Sequence, residues 1–322
     1  MLLSSRNSEA RLLRILIGFE IFDNMKIPNK TIGWLIFSFI VVAILAWAVY
    51  QYREANQAEY PIKRSIRYSF TLQNTTNTVK KDVDFWVYAP VKQTSTQLTQ
   101  SIKASLPYEI SVDHLGNQVL HFKIESLPPF GTKIISINAE LNLSDQSNRI
   151  KQKDLAIFLG PEKFMETEDE NLIILSNRLV ADTQAAKAEK LYQWVHTNIK
   201  YAGYVKDDRG AAYALRNKKG DCTEYMYLYS TLARIAGIPS RGIGGYVYKE
   251  DTVLKPEEFH NWSEVYINNA WHVVDPQNGV FMDKQSHFIA MRIISRAMQG
   301  QLNLQNTHQF AVSTKDITVR MN

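Results

Sequence analysis

Short apolar runs that partly alternate with polar positions dominate the chain between Tyr60 and Leu143. β-branched and aromatic residues are frequent in them, as is typical of half-buried strands. The clearest runs read IKRSIRYSFTL, KDVDFWVYAP, NQVLHFKI and TKIISINAEL. Turn-forming residues lie between the runs: Asn74, Gly116, Pro128, Pro129 and Gly131. Several short strands of this kind predict a small β-sandwich at residues 60–145.

A helical period replaces the alternation from about residue 154 onward. One apolar stripe, formed by Leu191, Trp194, Val195 and Ile199, follows Thr183, a residue suited to cap a helix. Strand-like runs then return after residue 241: GIGGYVY, HNWSEVYI, AWHVVD, HFIAMRII and DITVRM. Helices followed by strands predict a second, α+β domain at residues 154–322. We interpret the preceding sandwich as an accessory domain, because it lacks the combination of nucleophile, base and orienting group that catalytic sites need.

An uncharged apolar run extends from Thr31 to Tyr52. A helix of this length can cross the hydrocarbon core of a bilayer, so the run predicts a single-pass anchor at residues 31–52. Ala46-Trp47-Ala48 also fits a signal-peptide cleavage site, in which case cleavage after Ala48 releases a soluble exported form. Either alternative predicts that the rest of the chain is periplasmic or extracellular. Residues 1–30 are interpreted as an interfacial segment or as the product of a start codon assigned too early.

Composition removes several classes of function. The 322 residues are 45% hydrophobic and 21% charged, within the range of globular proteins. The net charge is +5, but no basic run with interleaved aromatic residues indicates a nucleic-acid groove. A single cysteine excludes an intrachain disulfide and a multi-cysteine zinc site. The predicted sandwich contains no phosphate-binding loop and no metal cluster.

The single cysteine, Cys222, lies where a helix is predicted to begin. Asp221 followed by Glu224 matches a capping box, and Gly237 is suited to end the helix. A thiol at the first helical position faces the positive end of the helix dipole, which favours the nucleophilic thiolate. The alternative is that Cys222 only packs against Met226 and Tyr229.

A predicted hairpin brings a histidine close to an aspartate. If Asn268-Asn269 forms a two-residue turn, counting outward places His260 diagonally across from Asp275 on one face of the sheet. Asp275 can then orient an imidazole that takes the proton of Cys222, which is the arrangement of nucleophile, base and orienter. His272 points to the opposite face by the same alternation and is the negative control.

Four segments together resemble the transglutaminase-like superfamily of papain-type cysteine enzymes, in particular its bacterial members. They read GDCTE, ARIAGIPSRGIGGY, HNWSEVY and WHVVDP, and the resemblance covers about Leu172 to Met282. A weaker resemblance, through FWVYAPVKQTSTQ and LPPFGTKII, links the first domain to the β-sandwich that precedes this core in some bacterial relatives.

The resemblance implies a papain-like α+β core and acyl transfer from an amide through a thioester, with Cys222, His260 and Asp275 as catalytic residues and without metal or cofactor. It also suggests Tyr201 as a second oxyanion donor beside the Cys222 backbone N–H. Trp262 either walls the acyl site or belongs to the core. The superfamily includes members in which water attacks the thioester, members in which an amine does, and members without catalysis.

These observations predict a transglutaminase-like cysteine peptidase or amidase of the cell envelope, acting on a protein or peptide. The first alternative is a protein-cross-linking transglutaminase, and the second is a non-catalytic binding or assembly module on the same fold. The sequence does not identify the substrate, any partner protein or the oligomeric state.

Overall fold

The computed structural model describes residues 34, 37–47, 58–150, 154–204, 206–295 and 309–322. The chain divides into two compact units, residues 1–57 and residues 58–322. In the first unit, residues 34 and 37–47 are helical. No helix within the described residues combines the length and apolar character that a membrane crossing requires. Residues 1–30 and both ends of the 31–52 segment, with Ala48, lie outside the described residues, so the anchor and the cleavage site stay predictions.

The second unit begins with six strands that form a β-sandwich, as the alternating pattern predicted. They are β1 (Ile62–Asn74), β2 (Lys80–Ala89), β3 (Gln97–Ala104), β4 (Glu109–Val112), β5 (Gln118–Leu127) and β6 (Thr132–Leu143). β1 pairs with β6, and β6 with β3, in one sheet, whereas β5 lies between β2 and β4 in the other. Every second side chain of β1, β2, β5 and β6 points into the shared core, where Phe70 packs against Phe85 and Phe85 against Phe122.

Three later strands complete these two sheets. β10 (Thr252–Val253) and β16 (Ile317–Met321) both pair with β1, and β15 (Phe310–Val312) pairs with β2. The sequence analysis placed all three in the 154–322 domain, whereas the pairing places them in the sandwich. Short strands carry too little periodicity to show which sheet they join. Their pairing covers strand edges that would otherwise expose unpaired backbone groups.

The second half of the unit packs helices on an antiparallel sheet, which confirms the predicted α+β class. Its helices are α1 (Glu170–Arg178), α2 (Gln184–Asn198), α3 (Ala211–Asn217) and α4 (Cys222–Ile235). The sheet has the order β13–β12–β11–β9–β14, formed by β9 (Ser240–Val247), β11 (Phe259–Ile267), β12 (Ala270–Asp275), β13 (Val280–Phe281) and β14 (Phe288–Ile294). Two short strands, β7 (Lys200–Tyr201) and β8 (Lys219–Gly220), pair in parallel ahead of α4. α4 is the central element, because it is buried against β9 and β11 and against the other three helices.

The hairpin between β11 and β12 has the predicted two-residue turn. Asn268 and Asn269 both adopt positive φ values, 53° and 65°, as a primed turn requires. Ile267 pairs with Ala270, which sets the register of the hairpin back toward the site. Asparagine enters the left-handed region at low cost, and this explains why a local signal was sufficient here.

Buried amide side chains join the sandwich to the sheet of the second half. Gln97 receives the Ala290 N–H at 2.9 Å and donates to the Ala290 carbonyl at 3.0 Å. Asn117 makes the same pair of bonds with Ile293, at 2.6 and 3.1 Å. Both amides therefore give buried backbone groups of β14 hydrogen-bond partners from the sandwich. The two layers form one compact unit through these contacts.

Candidate active site

Cys222 is the first residue of α4, and a complete capping box positions it. The Asp221 carboxylate accepts the Thr223 N–H at 2.9 Å, and Glu224 accepts the Asp221 N–H at 3.1 Å. Two orphan donors of the helix start are thereby satisfied. The Cys222 N–H at the first helical position has no acceptor within the helix. The thiol is partly exposed, so an external electrophile can reach it.

Glu224 also ties the preceding loop to the start of α4. Its carboxylate accepts the Arg209 backbone N–H at 3.0 Å and the Arg209 guanidinium at 3.2 Å. Burial raises the pKa of Glu224, the hydrogen bonds from Arg209 and Asp221 lower it, and the neighbouring charge of Asp221 raises it further. The capping carboxyl is therefore held by charge-assisted contacts on both sides of the helix entrance.

The position directly before this capping box, Gly220, has no room for a side chain. A Cβ at this position would overlap the Glu224 Cβ and lie 3.0 Å from its Cγ. We expect Gly220→Ala to displace the start of α4 and to reduce the alkylation rate of Cys222 by about 10- to 100-fold, because small errors in position are costly at a nucleophile. The measurement is iodoacetamide labelling of the folded variant followed by mass spectrometry.

Gly160→Ala is the matched control for that substitution. An added Cβ at Gly160 meets no atom within 4 Å, so its alkylation rate should equal that of the unchanged protein. A Gly220→Ala protein that alkylates at the unchanged rate would show that the capping box does not position the thiol.

His260 and Asp275 meet as the hairpin count predicted. His260 Nε2 lies 2.7 Å from Asp275 Oδ2, and Cys222 is near enough to His260 to raise the pKa of its imidazole. Because Nε2 is engaged by the carboxylate, Nδ1 is the nitrogen left for the sulfur. Asp275 is 1% exposed and His260 is 9% exposed, so solvent screens this chain of contacts little.

The electrostatics of His260 favour its protonated form. Burial by itself lowers the pKa of His260, but the hydrogen bonds to Asp275 and Cys222, and the charges of both groups, outweigh burial and raise the pKa to about 10. His272 behaves in the opposite way, since burial lowers its pKa more than the Ile267 carbonyl, 3.1 Å from its Nε2, and the charge of Glu264 raise it. The structure thus brings His260 into the site and leaves His272 outside it.

Tyr201 and Trp262 occupy different environments around this cluster. Tyr201 pairs with Gly220 in the short parallel ladder, and its side chain is 56% exposed. Burial raises the pKa of Tyr201, and the nearby charges of Cys222 and Asp221 raise it further. Tyr201 is therefore within electrostatic reach of the thiol.

Trp262 is a core residue. Its indole is 1% exposed and packs edge to face on Phe288, with 5.1 Å between ring centroids. The same indole lies nearly parallel to the His260 ring, at a centroid distance of 6.3 Å and an interplanar angle of 20°. Of the two readings open from the sequence, the core reading fits this burial. The buried Trp262 ring therefore lies behind the imidazole, on the side of the protein core.

Two asparagines near the site were not singled out by the sequence analysis. Asn278 Nδ2 donates to Asp275 Oδ2 at 2.8 Å, and its backbone N–H donates to Asp275 Oδ1 at 3.3 Å. Asn261 Nδ2 lies 3.7 Å from Cys222 Sγ. The available signals were weak: Asn261 directly follows His260, and Asn278 is three residues after Asp275, the spacing of a local side-chain turn.

The side chains of the described residues also bear on metal binding. Within the described ranges, no group of three or more His, Cys, Asp or Glu side chains is arranged to hold a metal ion. The arrangement that is present, a partly exposed thiol at a helix start beside a buried imidazole and carboxylate, matches what nucleophilic acyl transfer requires.

Comparison with known proteins agrees with this geometry. Residues 175–276 match Transglut_core, the family model of the transglutaminase-like superfamily. This chain has a transglutaminase-like core. The matched segment includes α4 and the hairpin, which carry the cluster of Cys222, His260 and Asp275, so the resemblance stated from the sequence motifs is confirmed.

Two curated relatives are similar to part of this chain. Kyphoscoliosis peptidase from Homo sapiens is 29% identical over 104 residues, which are 30% of this chain and 16% of the relative. The Mus musculus protein of the same name is 27% identical over 114 residues, covering 31% of this chain and 17% of the relative. The chain therefore spans less than a fifth of the length of these relatives.

A solved structure extends the likeness beyond the core. The Cytophaga hutchinsonii protein described as a "putative cysteine protease" superposes with a TM-score of 0.53 at 16% identity. The superposition covers 81% of this chain and 92% of the other. At this level of identity the similarity shows a common fold.

Proposed function

We propose that this transglutaminase-like chain is a cysteine peptidase or amidase in which Cys222 is the nucleophile, His260 the general base and acid, and Asp275 the orienting carboxylate. The observation that carries the proposal is the clustering of a partly exposed thiol at a helix start with His260, whose Nε2 lies 2.7 Å from Asp275 Oδ2 and whose pKa is raised by both Asp275 and Cys222. The names of the similar proteins, which contain "peptidase" and "protease", add support for an amide substrate.

The chemistry follows from these positions. The Cys222 thiol proton moves to His260, and Sγ attacks the carbonyl carbon of the amide, whose π electrons move to oxygen. The tetrahedral intermediate collapses, the C–N bond breaks, and His260 returns the proton to the leaving amine. Water then attacks the thioester with His260 as base, which releases the acid and regenerates the thiol. Asp275 stabilises the imidazolium in both halves of this sequence.

Water is proposed as the acceptor because it is always present, whereas transamidation requires a site that admits an amine and keeps water out. A protein-cross-linking transglutaminase remains the alternative of the same chemical class. A non-catalytic binding module is the alternative of a different class, and the raised pKa of His260 beside the thiol is an argument against it.

Cell-envelope action is the second part of the proposal. It rests on the uncharged run from Thr31 to Tyr52, which has the length of a single-pass anchor, with a protein or peptide of the envelope as substrate. Expressed in a Gram-negative host, the chain should fractionate with membranes, and protease added to spheroplasts should digest its C-terminal region. Protection of that region would place it in the cytoplasm.

The test of catalysis begins with the thiol itself. A thiolate paired with imidazolium should react with iodoacetamide at pH 6 to 7 at least about tenfold faster than free cysteine, which is only a few per cent ionised there. A native Cys222 that reacts no faster than free cysteine, or reacts only after denaturation, would support the binding module.

The acceptor is tested next with a fluorescent primary amine and dimethylcasein as the acyl donor. Cleavage or deamidation of the casein without incorporation of the amine supports hydrolysis. Incorporation that competes with hydrolysis would instead support the cross-linking transglutaminase.

A further inference from the structure

Asn261 is buried at the junction between the sheet and the start of α4. It is 4% exposed, and its Nδ2 donates to Thr223 Oγ1 at 3.0 Å and lies 3.7 Å from Cys222 Sγ. Its Oδ1 is buried and has no hydrogen-bond partner among the described residues. A buried amide oxygen without a partner destabilises the folded state, so this orientation of the side chain needs a reason.

The neighbouring strand makes room for this orientation. Asn261 pairs with Gly244 of β9, and a Cβ at Gly244 would lie 3.2 Å from Asn261 Oδ1 and 2.9 Å from the Phe259 ring. The missing side chain at Gly244 thus provides the space that the amide oxygen occupies. The amide nitrogen is in consequence directed toward the start of α4.

An amide nitrogen carries two N–H donors, and only one is used by Thr223. The second is available toward Cys222 Sγ, which lies 3.7 Å from Nδ2. An oxyanion formed on a carbon bonded to Sγ lies next to the sulfur, and effective donors lie about 2.7–3.1 Å from it. Such an oxygen therefore comes within reach of the Asn261 side-chain N–H, which adjoins the sulfur, and of the Cys222 backbone N–H at the start of α4.

We propose that Asn261 is a catalytic residue whose side-chain N–H, together with the Cys222 backbone N–H, forms the oxyanion hole. This inference rests on the proposed function, because it concerns the acyl transfer at Cys222. When the C–S bond forms, the π electrons of the carbonyl move to oxygen, and both N–H groups donate to that charge. When the C–O double bond re-forms and the leaving group departs, the charge on oxygen disappears and Asn261 returns to its contact with the sulfur.

Tyr201, the donor suggested by the family resemblance, differs from Asn261 in its exposure to solvent. Its side chain is 56% exposed, whereas that of Asn261 is buried. A donor shielded from water and held by Thr223 is organised before the reaction begins, and this is the property that stabilises an oxyanion most strongly. We therefore assign the second donor to Asn261.

The test compares two reactions of one thiol on the full chain. Acylation by p-nitrophenyl acetate passes through an oxyanion, whereas alkylation by iodoacetamide displaces iodide at a saturated carbon and does not. Asn261→Leu, which keeps the size of the side chain and removes the donor, should slow the acylation burst by about 10²- to 10³-fold. Its alkylation rate should stay within about threefold of the unchanged protein, which also shows that the site is intact.

Two further variants complete the experiment. Asn261→Ala serves if leucine prevents folding, with the same expected split between the two reactions. Tyr201→Phe should change either rate by less than about threefold. A large loss of acylation in Tyr201→Phe, with none in the Asn261 variants, would assign the donor to Tyr201 and overturn the proposal.

The remaining outcomes separate this inference from the proposed function. Equal losses in both reactions would mean that Asn261 acts on the thiolate and not on the oxyanion. An unchanged acylation rate in the Asn261 variants would mean that the Asn261 N–H does not donate to the oxyanion, as expected if the side-chain oxygen faces the sulfur instead. Either result overturns the inference while the function stands. Slow alkylation of the unchanged protein would instead contradict the proposed function itself.

Discussion

His260→Ala is expected to lower turnover of p-nitrophenyl acetate by about three orders of magnitude and to slow alkylation of Cys222 at pH 6 to 7 by about tenfold or more. The raised pKa of His260, about 10, keeps an imidazolium beside the sulfur at neutral pH, and this cation favours the thiolate. Without the ring, the thiol loses both the cation and its proton acceptor. Stopped-flow bursts and timed alkylation measure the two effects.

His272→Ala is the control for that experiment. His272 contacts the Ile267 carbonyl and lies outside the cluster, so its removal should leave both rates unchanged. Should the two histidine variants lose activity equally, the effect would come from disruption of the sheet, and His260 would have no special role.

Asp275→Asn is expected to lower turnover by about 10²- to 10⁴-fold while retaining part of the alkylation. The asparagine keeps the shape of the aspartate but carries no charge to stabilise imidazolium, which forms in each half of the reaction. Alkylation needs only the thiolate, and the helix start still favours it. Parallel losses of turnover and alkylation would show that Asp275 acts on the thiol and not on the imidazolium.

The same variant has a signature in the pH dependence of stability. In the Cys222→Ala background, which removes the titration of the thiol, Asp275 still raises the pKa of His260. The folded state then binds the His260 proton over a pH range in which the unfolded state, with a pKa near 6.5, has released it. This contribution to the free energy of unfolding is complete below about pH 6.5 and is lost as pH rises through the folded pKa.

Adding Asp275→Asn to the Cys222→Ala background should flatten that pH dependence, because the difference between folded and unfolded pKa values shrinks. Denaturant unfolding at several pH values from 6 to 10 measures it. Identical curves for the two proteins would mean that the carboxylate does not hold the imidazolium.

Local rules predicted much of the candidate site. The capping box at Asp221 and Glu224 placed Cys222 at a helix start, since cap residues act within one helical turn. The turn at Asn268-Asn269 set a register that carries outward to His260 and Asp275, because a strand repeats every two residues. Both signals depend on neighbours in sequence, so the order of residues was sufficient to read them.

Local sequence signals did not predict the contacts between segments that are distant in sequence. Asn261 and Asn278 read as ordinary strand and turn residues, and only the packing of β11 on α4 brings Asn261 to the sulfur. β15 and β16 read as part of the second domain, but they join strands that lie more than 200 residues earlier. Partner choice over such separations depends on edge exposure and shape, which short runs do not encode on their own.

The sequence by itself determined the helix start at Cys222, the hairpin that carries His260 and Asp275, and the α+β class, because capping, turn geometry and apolar periodicity are local properties. The tertiary structure raised the pKa of His260 to about 10 by placing it beside Asp275 and Cys222, and it brought the Asn261 amide to 3.7 Å from Cys222 Sγ. The physical reason is that burial and charge at a site are sums over groups from separate segments. These sums exist only once the sheet, α4 and the sandwich have packed together.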